Sequence, residues 1–72
     1  MSSQQTLQRA LQDAQSGRLD AAIAAVRTVV RVQPRNADAL QMLGLFLSQA
    51  GQHAQAVVQL ERAVAIAPQV AG

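Results

Sequence analysis

Apolar residues recur at helical spacing in four separate stretches of the chain. Leu7, Ala10, Leu11 and Ala14 fall at i, i+3, i+4 and i+7, with Gln8, Arg9, Gln12 and Asp13 on the opposite face. Ser2 or Ser3 caps this first helix, and Ser2 with Gln5 has capping-box spacing. Ser16-Gly17 stops it, the glycine supplying a left-handed C-terminal cap. The second helix is expected from about Asp20 to Val32, burying Ala22, Ile23, Val26, Val29 and Val30, with Leu19 at its start and Pro34 barring its continuation. Asn36 is a good N-cap for the third helix, and Asp38 in its first turn suits the helix dipole. Leu40, Leu43, Gly44 and Leu47 form that helix's inward stripe, and Gly51 ends it. The fourth helix is expected from about His53 to Ala67, with Ala56, Leu60, Ala63 and Val64 facing the third. Pro68 ends it, and a short tail follows.

Gly44 in mid-helix costs about 1 kcal/mol against alanine, so close packing against the partner helix is the expected compensation. Small residues at Ala56 and Ala63, with a leucine between them, permit that close approach.

The stretch from Ala37 to Val70 also echoes what precedes it. Shifted back by 34 residues, Gly51 falls on Gly17, Ala56 on Ala22, Leu60 on Val26, Val64 on Val30, Ile66 on Val32 and Pro68 on Pro34. Self-similarity at a period of this size predicts helical hairpins laid one on the next. The fold class is therefore all-α, with four antiparallel helices in two stacked hairpins.

Composition narrows the function classes. The 72 residues make one small domain, half apolar, with Phe46 the one aromatic. Such a chain buries only about 60% of its unfolded surface. The absence of cysteine removes disulfides and thiol chemistry. The net charge is +2, and the six basic residues, all arginine, are spread along the chain. A nucleic-acid reader clusters its positive charge and adds stacking aromatics, so nucleic acid is not an expected partner. No apolar run approaches the roughly 20 residues of a membrane span, and the first residues lack the order of a signal peptide. A cytoplasmic location is expected, and the lysine-free, alanine- and arginine-rich composition suggests a GC-rich, bacterial-type genome.

Leu40, Leu43-Gly44, Leu47, Ala56, Leu60, Ala63 and Pro68, with the turn residue Gly51, resemble in order and spacing the tetratricopeptide repeat, a helix-turn-helix of 34 residues. On that resemblance the chain holds two repeats, about 3–36 and 37–70. The first is the poorer copy: Thr6, Arg9 and Asp13 stand where the family has apolar residues. Moving the first helix by one residue puts Leu7, Ala10, Leu11 and Ala14 in those places, which predicts a first turn one residue shorter than the second.

In this family the first helices of successive repeats line a concave groove that binds peptides or protein segments. The resemblance places Asp38, Gln41, Met42, Leu45, Ser48 and Gln49 in the groove, joined by Gln4, Gln8, Leu11 and Gln15. Lysine is absent, and Gln41, Met42 and Leu45 do not fit the lysine–asparagine clamp that some members use for a terminal carboxylate. The expected role is a non-catalytic protein-interaction module, and no cofactor or metal is implied. His53 lies in the inter-helix turn, a packing or solvent position, and Asp13, Asp20, Asp38 and Glu61 are too scattered for a carboxylate pair or a divalent-metal site.

Two alternatives come from other classes. The chain is expected to be the N-terminal piece of a longer protein, and it could then be the accessory arm of an enzyme such as a glycosyltransferase or sulfotransferase. Otherwise Val57, Val64 and Ile66, left without a following repeat to pack on, would join two copies into a homo-oligomer. Arg27 and Arg31, one turn apart on the outer side of the second helix, could grip an anion or form a solvated face.

Overall fold

Ser2 caps the first helix: the Gln5 N–H donates to Ser2 Oγ at 3.2 Å. The computed structural model describes residues 2–66, which form four helices. These are α1 (Ser3–Gln15), α2 (Leu19–Val32), α3 (Ala37–Gln49) and α4 (His53–Ile66), with no strand among the described residues. The expected stop at Pro68, the end of the second repeat at Val70 and the tail lie outside the described residues. α2 begins one residue earlier than expected because Leu19 packs against the core; Arg18 at its N-cap contributes no side-chain hydrogen bond.

Both hairpins close by the same device. After α1, the Arg18 N–H donates to the Asp13 carbonyl at 2.7 Å and the Gly17 N–H to the Ala14 carbonyl at 3.2 Å. After α3, the Gln52 N–H donates to the Leu47 carbonyl at 2.9 Å and the Gly51 N–H to the Ser48 carbonyl at 3.0 Å. This paired pattern satisfies carbonyls that a helix end leaves orphaned, and it requires a left-handed residue at the turn. Gly17 and Gly51 supply it with φ of +86° and +84°. Between the hairpins, Asn36 Oδ1 accepts from the Ala39 N–H at 3.1 Å, and its Nδ2 donates to Gln33 Oε1 at 2.9 Å.

The identical closures correct one expectation. The first turn is not one residue shorter. Helix bounds recur 34 residues apart throughout, at Ser3 and Ala37, Gln15 and Gln49, Leu19 and His53, Val32 and Ile66. The apolar stripe of α1 is instead turned around the helix axis without any shift along the chain. Ala10 is fully buried at the place equivalent to Gly44, and Leu7 is buried where α3 has half-buried Gln41. Arg9, equivalent to Leu43, is exposed. Leu43 is covered because α2 packs on α3, whereas among the described residues no helix precedes α1 to cover Arg9.

α3 is the centre of the molecule. It packs extensively on α4 and also on α2, and touches α1, while α1 and α2 pair with each other. Six of its residues are buried: Ala39, Leu40, Leu43, Gly44, Phe46 and Leu47. Around them the core gathers Leu7, Ala10, Ala22, Ile23, Val26, Val29 and Ala56. On α4, Ala56 and Ala63 face α3 as expected, and half-buried Leu60 lies over Gly44. Val64 does not face α3. It is 46% exposed on the outer side of α4, one residue past the buried Ala63.

Candidate functional site

α1 and α3 lie side by side, and their upper faces form one cleft of about 390 Å³. α1 contributes Gln4, Leu7, Gln8 and Leu11; α3 contributes Asp38, Gln41, Met42, Leu45, Phe46 and Gln49. The α3 residues Asp38, Met42, Leu45 and Gln49 follow each other at three- or four-residue steps, the spacing of one helical face. The cleft therefore exists only because two helices of separate hairpins are held in register.

The lining is graded in polarity. Leu7 and Phe46 are buried and form an apolar floor. Leu11 and Leu45 stand higher, 42% and 51% exposed, with half-buried Met42 between floor and rim. Gln4, Gln8, Gln41 and Gln49 supply amide donors and acceptors around the edge. Asp38, in the first turn of α3, is the one ionised group in the lining.

Of the groove residues expected from sequence, Gln4, Gln8, Leu11, Asp38, Gln41, Met42, Leu45 and Gln49 are brought together. Gln15 and Ser48 are not in the lining. Gln15 is exposed one turn beyond Leu11, at the end of α1. Ser48 lies about 200° around α3 from Phe46, on the flank turned away from α1. Leu7 and Phe46 had no place in the expected groove. A one-face reading assigns Leu7 to the interior and leaves Phe46 off the stripe of Leu40, Leu43 and Leu47. The only signal for Phe46 was its being the sole aromatic residue.

A second concavity, about 500 Å³, lies on the outer side of α4 among Val57, Leu60, Glu61, Val64 and Ala65. Val57 and Val64 are 52% and 46% exposed there, while Ile66 is half-buried outside this lining. His53 is exposed as the first residue of α4. Among the described residues no three histidine, aspartate or glutamate side chains converge as a metal site would require. None of the described helices is long and apolar enough to cross a membrane.

A family model described as tetratricopeptide repeat matches residues 13–71. The match runs from the last turn of α1 through α2, α3 and α4 and leaves most of α1 outside. No curated protein and no solved structure matches the chain.

Proposed function

The chain belongs to the tetratricopeptide repeat family, whose repeats serve as protein-interaction modules, and we propose that its α1–α3 cleft binds a peptide segment of a partner protein. The observation that carries this reading is the lining itself. An apolar floor under a ring of amides suits a peptide, whose main chain needs donors and acceptors and whose side chains need apolar seats. Met42 is unbranched and adaptable, and can shape itself to an aliphatic or aromatic anchor side chain. Asp38 sets a sign preference. It sits at one end of α3, and no arginine lines the cleft, so a neutral or basic peptide fits and an acidic one is repelled.

Peptides selected from a random display library on the 72-residue chain supply the probe. Met42→Glu and Leu45→Glu each place a carboxylate on a seat that must lose water on binding, so each is expected to weaken capture about tenfold or more. Both positions are partly exposed, so helicity by circular dichroism stays unchanged. Undiminished capture by both folded variants would remove the cleft as the binding site.

The exposed apolar concavity on α4 favours a second role, self-association through Val57 and Val64, with Ile66 at its margin. Sedimentation of the chain at rising concentration then shows a dimer that Val64→Asp returns to monomer. A monomer throughout would exclude this reading.

A further inference from the structure

We propose that the notch between α2 and α4, on the side of the molecule away from the peptide cleft, is a binding site for a tetrahedral oxyanion of the phosphate type. The backbones of α2 and α4 do not approach each other; α3 lies between them. The space left, about 250 Å³, is lined by Arg27, Val30 and Arg31 of α2, Leu43 of α3, and Gln59 and Arg62 of α4. Three arginine side chains from two helices thus line one small concavity that also holds a valine and a leucine.

None of the chain's four carboxylates balances them. Asp13 is 4.0 Å from Arg18, Asp38 lines the opposite cleft, and Glu61 lines the outer concavity of α4. Asp20 lies in the first turn of α2, nearly two turns before Arg27. Three positive side chains without a neighbouring carboxylate give the notch a positive potential, which attracts a dianion. Guanidinium groups suit the task because their planar forks match the oxygens of a phosphate in pairs.

Two further observations distinguish this notch from an ordinary solvated face. Arg27 is already positioned: its Nη2 donates to Gln55 Oε1 of α4 at 3.2 Å, bridging the helices at the rim. Gln59 Oε1 is buried and has no hydrogen-bond partner among the described residues. Gln59 lines the notch, and its amide NH2 is the donor that a bound oxyanion would use. The site fits either a free phosphate ion or a phosphorylated serine or threonine of a protein segment, which carry the same dianionic group near neutral pH.

The test titrates the isotopically labelled 72-residue chain with inorganic phosphate, against sodium chloride at equal ionic strength, and follows the arginine Nε–H and glutamine NH2 signals. Saturable shifts at Arg27, Arg31, Arg62 and Gln59, with Arg9 and Arg35 unmoved, are expected. Arg62→Gln, at an exposed position that leaves the fold intact, weakens binding about tenfold or more. A phosphoserine peptide is compared with its unphosphorylated twin in a parallel arm. Tighter binding of the phosphopeptide than of phosphate assigns the site to a modified protein segment, and equal binding assigns it to the free ion. Linear shifts shared by all six arginines, or full binding by the folded Arg62→Gln chain, would overturn the proposal.

Discussion

Leu47→Ala is expected to lower the free energy of unfolding by about 2–5 kcal/mol, the range for removing a fully buried leucine. Leu47 is 0% exposed, on the one helix that touches the other three, so no surface side chain can swing in to fill the space. The loss has two parts: the transfer of the missing carbons, and the cavity left where packed neighbours cannot close up. For a chain of this length the whole stability is roughly 4–11 kcal/mol, so this one change removes a large share of it. The melting temperature followed by helical circular dichroism should fall by more than about 10 °C. Leu45→Ala makes the control. It removes the same atoms from the same helix two residues earlier, but Leu45 is 51% exposed, and the expected change is within about 0.5 kcal/mol. Equal effects at the two positions would mean that α3 does not bury the face described.

Gly44→Ala is expected to destabilise by up to about 2 kcal/mol, against the direction that helix propensity alone dictates. At an exposed mid-helix position the exchange gains about 1 kcal/mol. At Gly44 the added methyl would sit 2.6 Å from Leu60 Cγ and 2.8 Å from its Cδ2, with the Ala56 carbonyl oxygen at 3.2 Å. Cγ is close to the backbone of α4, so a rotation of the end of the leucine does not clear it. Either α4 moves off α3 or Leu60 leaves its rotamer, and overpacking of this kind costs about 1–3 kcal/mol. The cause can be isolated. In the Gly44→Ala background, Leu60→Ala should cost less than it does alone, by a coupling of about 1 kcal/mol between touching sites. Simple additivity would place the penalty somewhere other than the Gly44–Leu60 contact.

What could be read from the chain divides along the line between local and tertiary causes. Gly17 and Gly51, Asn36 and Ser2 act through atoms a few residues away, so the helix ends they set follow from spacing alone. The close approach at Gly44 was legible because a glycine costs a helix stability unless a neighbour needs the room. The burial of Ala39 and Phe46 was not legible, because it arises from α3 being packed on three sides at once, and a one-face stripe describes only one of them. The shorter first turn was expected from the apolar order of α1, but the hydrogen bonds at Gly17 fix the turn at the same length as its counterpart. Most of the cleft was legible through the family resemblance, whereas Leu7 entered its floor by the rotation of α1 that only packing decides. Arg27 and Arg31 were visible as a pair, but their meeting with Arg62 depends on two helices that share no backbone contact.

The central claim is that partner segments are taken up between α1 and α3. It is tested most directly by methyl correlation spectra of the 72-residue chain with and without a peptide selected on it. Shifts concentrated at Leu11, Met42 and Leu45, with Val57, Val58 and Val64 unmoved, are the predicted result. Shifts confined to the valines of α4, with the α1 and α3 methyls unchanged at saturation, would contradict it.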